Sequence, residues 1–168
     1  AFLSALCEIE PQIAVMIIAG NHDSARRIDF ASSILAKHEV YIAGLPPMQE
    51  GETIRRVTLA DGYGEVDFYL LPFVKPSMVK QVVGVDENGN NLSYNETLHR
   101  LIGREEIDEN DRNVLVSHQF YLPVGKKADE IERMESEICT VGNIDEISAD
   151  VLEIFDYAAL GHIHKPMK

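Results

Sequence analysis

The chain has 168 residues, 45% hydrophobic and 26% charged, with 15 Lys and Arg against 28 Asp and Glu for a formal net charge of −13. That length and balance suit one ordinary globular domain, and the acidic excess argues against a broad basic nucleic-acid surface on this stretch. Two cysteines are too few for a disulfide framework and point to a reducing cytoplasm, and no apolar run approaches the roughly 20 residues of a membrane helix.

In chain order, residues 2–9 read as the tail of an amphipathic helix that Pro11 ends. The solid apolar run Ile13 to Ala19, stopped by Gly20, predicts a strand covered on both faces. Asp23 or Ser24 is placed to cap a helix whose Ile28, Ala31 and Leu35 share one stripe. A short strand follows over 39–43, closed by Gly44 and Pro46-Pro47. Residues 53–60 and 65–71 flank Asp61-Gly62-Tyr63-Gly64, a hairpin signal. Pro72 and Pro76 predict a loop, and the polar stretch 86–91 predicts another. Residues 94–102 read as a helix and 113–116 as a buried strand delivering His118. The charged stretch 126–137 fits an exposed helix or an irregular loop. Residues 148–155 read as a short helix and 156–160 as a strand ending at Gly161. Strands alternate with helices around an inserted hairpin, which predicts a layered α/β fold with a mixed sheet.

Three islands carry the chemistry: Gly20-Asn21-His22-Asp23, Ser117-His118 and Gly161-His162-Ile163-His164. Each follows a predicted strand, and ligands of open α/β folds collect beyond the carboxyl ends of strands. Alternate residues of an extended segment point the same way, which would aim His162 and His164 at one place. An amide oxygen with several imidazoles makes a mixed donor set suited to Mn, Fe, Zn or Co and less to Ca. Two such ions, about 3.5–4 Å apart, would activate a water and neutralise charge at a phosphorus, and would invert the acidic field locally. His22 would point away from the ions. With Asp23 to orient it, it is a candidate general acid for the departing oxygen or an electrostatic clamp on the phosphoryl group. His38 and His99, without ligand neighbours, read as surface or packing residues, Arg26 and Arg27 as solvated helix residues or, behind the Asn-His island, as contacts to phosphate, and Cys7 and Cys139 as small core residues.

These islands resemble the later signature motifs of the calcineurin-like metallophosphoesterases. Leu71-Pro72-Phe73 followed by Pro76, Glu135-Ser136-Glu137, and the run from Asp156 to His164 narrow the resemblance to the SbcD family of bacterial nuclease subunits. It implies a manganese-dependent nuclease that works with an SMC-type ATPase of the SbcC kind on double-strand DNA ends and hairpins. By motif, Asn21, His118, His162 and His164 would be ligands of two divalent ions. His22 would be the catalytic histidine that holds no metal, supported by Asp23. The helix over 24–37 would lie near a homodimer interface. The family's Asp-X-His and Gly-Asp-X-X-Asp motifs occur nowhere in the chain. The expectation is therefore a partial nuclease domain over residues 1–168, without the N-terminal motifs and the C-terminal DNA-binding cap, and inactive in isolation. Two other readings stand beside it: a phosphoesterase acting on small nucleotides or phosphoproteins, and a non-catalytic dimerisation or docking module.

Overall fold

The computed structural model describes residues 2–125 and 145–162, with residues 2, 4 and 7 by backbone alone. The charged stretch 126–137, the Glu135-Ser136-Glu137 segment, Cys139, the side chain of Cys7 and His164 lie outside the described residues.

Helix α1 (Phe2–Cys7) precedes strand β1 (Val15–Ile18), and α2 (Ala25–Asp29) and α3 (Ser32–Leu35) lead through a 3-10 turn (Ala36–His38) to β2 (Val40–Ala43). A hairpin of β3 (Arg55–Asp61) and β4 (Gly64–Leu71) comes next, then α4 (Pro76–Val83) and α5 (Tyr94–Gly103). The chain continues through β5 (Arg112–His118), β6 (Phe120–Leu122), β7 (Glu146–Ser148), a 3-10 turn (Ala149–Leu152) and β8 (Tyr157–Gly161). The expected α/β architecture with mixed pairing is the one observed. β3 and β4 pair antiparallel, then β5 and β8 add in parallel to give the order β3-β4-β5-β8. β1 and β2 form a separate parallel pair, as do β6 and β7.

Side-chain alternation explains the layering, because successive residues of a strand face opposite ways. From β4 and β5, Tyr69, Leu71 and Leu115 face a core closed by Val79 and Val83 of α4 and by Leu98, Leu101 and Ile102 of α5. Phe68, Leu70 and Val116 face the other way, onto Met16 and Ile18 of β1 and Tyr41 and Ala43 of β2. The β1-β2 pair thus lies against the face of the larger sheet opposite α4 and α5.

Four expectations need correction. The strand at β1 is half-buried along its length, not covered on both faces, and among the described residues only β2 pairs with it. The single helix expected over 24–37 breaks at Ala31 (φ −99°, ψ 6°). Asp29 spends its carboxylate on the Gly44 N–H at 3.1 Å, fixing α2 to the end of β2, and Ser32 and Ser33 are weak continuers of a helix. Neither Asp23 nor Ser24 caps α2 through its side chain. Finally, Pro76 begins a helix where a loop was expected. Its ring sits in the first turn, where the missing N–H leaves no hydrogen bond unmade.

Candidate metal centre

Beyond β1, Ala19 is held from both sides: its N–H donates to Ala43 O at 3.1 Å and its carbonyl accepts from Phe73 N–H at 2.8 Å. The chain then turns. Asp23 N–H donates to Gly20 O at 3.2 Å, and Asp23 Oδ2 accepts from Gly20 N–H at 2.7 Å. This reciprocal pair closes the turn and presents Asn21 at its corner. At the end of β5, His118 shares the face of Val116, so alternation sends its ring toward the layer that carries Gly20. Ser117 faces the opposite core, where Oγ lies 2.9 Å from the Tyr121 hydroxyl. Burial pushes that phenol up to about 12, so it stays protonated at neutral pH and offers no anionic ligand.

Two glycines make room for the His118 ring. A Cβ on Gly161, which pairs with His118 across the sheet, would lie 2.6 Å from Nδ1, and one on Gly20 would lie 2.8 Å from Cε1. Only hydrogen fits at either place. His118 Nε2 then sits 3.1 Å from Asn21 Oδ1, across 97 residues of sequence. His162, 9% exposed, brings its ring centroid to 5.3 Å from that of His118 at an interplanar angle of 76°.

Asn21, His118 and His162 therefore converge from three separate segments, as the islands predicted. His162 does not do so as part of an extended run. Its φ is +83°, so the backbone is not extended at His162, and His164 lies outside the described residues. His22 is exposed beside Asn21, and no hydrogen bond joins it to Asp23 among the described residues. His38 is exposed. His99 is structural, with Nδ1 2.8 Å from Asn95 O and Nε2 3.1 Å from Asp150. Arg26 and Arg27 are exposed on α2.

Phe73 and Phe120 belong to the cluster although the residue-by-residue reading gave them no role. Phe73 stacks on His162 at 6.2 Å and 22° and meets His118 edge-on at 6.4 Å, while Phe120 meets His162 at 6.1 Å. The available signal was the aromatic of Leu71-Pro72-Phe73, directly past a strand end. A cavity of about 380 Å³ lies away from this cluster, lined by Ile54, Arg56, Tyr69, Arg104 and Glu105 among others. Burial pushes the Glu105 carboxyl up, against the Ile54 N–H that donates to it at 3.0 Å.

The donor chemistry fits part of a transition-metal site. Two ligands held about 2.1 Å from one ion at a right angle are about 3 Å apart, and Asn21 Oδ1 and His118 Nε2 are 3.1 Å apart. The set is incomplete: among the described residues no group of three or more His, Cys, Asp or Glu side chains is arranged to hold a metal ion.

No family model matches the chain. It is 30% identical over 164 residues to the SbcD component of the SbcCD nuclease of Staphylococcus saprophyticus, an alignment covering 96% of this chain and 39% of that relative. Along nearly all its length, then, the chain is SbcD-like in sequence, and it spans about two-fifths of the nuclease component it matches.

Proposed function

We propose that the chain is part of a metal-dependent nuclease subunit that hydrolyses DNA phosphodiesters, at double-strand ends and hairpins, together with an SbcC-type ATPase. The observation that carries this reading is the convergence of Asn21, His118 and His162 at the ends of β1, β5 and β8. Similarity to a protein named as part of a nuclease supports the substrate class. Asn21 Oδ1 and the imidazoles of His118 and His162, joined by His164 and by carboxylates from outside this chain, would hold two divalent ions. Manganese is the choice the family resemblance favours. When bound, such ions lower the pKa of water and neutralise charge on the phosphate.

The remaining chemistry falls to this chain's own residues. His22, exposed beside Asn21, gives its proton to the departing oxygen or steadies the phosphoryl charge. Asp23 closes the turn that presents both residues, and from the adjacent position it supports His22. The half-buried rings of Phe73 and His118 and the buried ring of His162 keep bulk water from one side of the cluster. A homodimer formed through α2 and α3 fits the exposure of Phe30 and Ile34, four residues apart and 87% and 64% exposed. A DNA substrate and the low cysteine count fit a cytoplasmic location. No helix among the described residues is long and apolar enough to cross a membrane.

The test is turnover by the intact protein on DNA ends and hairpins, with manganese, against nucleotides and phosphopeptides. DNA cleavage supports the proposal, and turnover of the small substrates alone removes it. His22→Ala should keep its metal and lose turnover by about 10²-fold or more, the usual size of a general-acid contribution. Wild-type rates in that variant would take His22 out of the mechanism.

A further inference from the structure

We infer that Phe73 is a positioning residue for the imidazole pair, setting the orientation of the His162 ring against His118. Its purpose rests on the metal-centre reading, but its geometry does not. The sheet ladder ends at the pair His118 and Gly161, so His162 lies one residue beyond it. Its φ of +83° lies in the left-handed region, which a non-glycine residue rarely adopts. Neither the ladder nor a favoured backbone basin sets the direction of this ring, so its neighbours must.

Phe73 touches both imidazoles, and in different ways. It lies 22° from parallel with His162 at 6.2 Å and 83° from parallel with His118 at 6.4 Å, within the range of stacked and edge-on aromatic pairs. The two imidazoles stand at 76° to one another. One ring parallel to the first and perpendicular to the second holds that mutual angle. Phe120 also meets His162 edge-on, at 6.1 Å and 64°, while Phe73 makes a ring contact with both imidazoles.

The Phe73 segment is itself anchored to the other parts of the site. Phe73 N–H donates to Ala19 O at 2.8 Å, two residues before Asn21. The carbonyl of the next residue, Val74, accepts from the buried Gln119 side chain at 3.4 Å, one residue after His118. The 73–74 segment is therefore tied by hydrogen bonds to the segments bearing Asn21 and His118, and by stacking to His162.

The experiment compares the intact wild-type protein with Phe73→Leu, Phe73→Met and Phe73→Tyr. The Met variant stands in if Leu does not pack, and Tyr restores the ring. Histidine ring resonances are recorded without metal, and cobalt(II) binding is followed by its visible absorption. A positioning role predicts one sharp set of His118 and His162 signals in wild type and Phe73→Tyr. It predicts broadened or doubled signals in Phe73→Leu and Phe73→Met. Cobalt affinity should fall about 10-fold or more in the aliphatic variants, as for other groups that orient metal ligands, and recover in Phe73→Tyr. Unchanged ring signals and affinity in a folded aliphatic variant overturn the inference. So does an equal loss in all three variants that follows a lowered unfolding midpoint. A wild-type protein that takes up no cobalt removes the metal reading instead, and the ring signals alone then decide the case for Phe73.

Discussion

At two positions around the His118 ring the lack of a side chain matters as much as the donors themselves. Gly161 and Gly20 flank the His118 ring so closely that a methyl group at either position would stand 2.6 or 2.8 Å from it. The ring cannot retreat without leaving Asn21, 3.1 Å from its Nε2. Gly161→Ala should therefore destabilise the protein by about 1–3 kcal/mol, as overpacking usually does, and weaken manganese binding in the same variant. Gly62→Ala is the control, since nothing lies within 4 Å of the added Cβ there. Denaturant midpoints and titration calorimetry on the two variants check the expectation, and equal behaviour would remove the crowding argument. The same scale explains why glycine opens the first and third islands: the backbone must approach an imidazole without a Cβ.

Among the elements, the hairpin and helix α5 carry sharp local signals. The β3-β4 turn is clipped to β5 by Arg112, whose guanidinium donates to both carboxylate oxygens of Asp61 at 2.8 and 2.9 Å and to Gly64 O at 2.8 Å. The hydrogen bonds from Arg112 hold the Asp61 carboxyl at about 2, below its ordinary 3.8. A folded value below the unfolded one means that the clip contributes above about pH 3.8. It is lost as the pH falls through about 2. Asp61→Asn should thus lower the unfolding midpoint at pH 7, and the gap from wild type should close on acidification toward pH 2. A gap independent of pH would assign the loss to packing. In α5, Ser93 caps the helix by accepting from the Glu96 N–H at 3.1 Å. Ser93→Ala should cost about 1 kcal/mol, measured by chemical denaturation. The helices α2 and α3 show the opposite case. Ile28, Ala31 and Leu35 are half-buried as their spacing predicts, yet the helix they imply is broken where Asp29 turns to Gly44.

At the scale of the molecule, the four-stranded sheet and the β1-β2 pair meet face to face, and the donors gather at one end of that contact. Any ion bound there links segments far apart in sequence, so it should stabilise the whole fold. At a free concentration 100 times its dissociation constant, an ion that binds only the native state adds about 2.7 kcal/mol. Manganese should accordingly raise the thermal midpoint of the intact protein, and a chelator should reverse the rise. His162→Ala should blunt it. An equal rise in wild type and variant, or unchanged metal content by elemental analysis, would remove His162 from the ligands. With a net charge of −13 on this stretch, DNA association should also depend on the added cation beyond what ionic strength explains.

The islands at strand ends, the hairpin at Asp61 to Gly64, helix α5 and the alternation of strands with helices were all legible from residue order. Each rests on interactions between near neighbours: a cap, a turn or a period of burial. What sequence order could not supply were the contacts between segments that never approach each other along the chain. Those decide that α2 ends at Asp29, where its carboxylate holds Gly44, that β6 finds β7, that His162 adopts a left-handed backbone, and that Phe73 packs against both imidazoles. Spacing reports only which face a side chain takes, whereas the separation of two faces is set by packing.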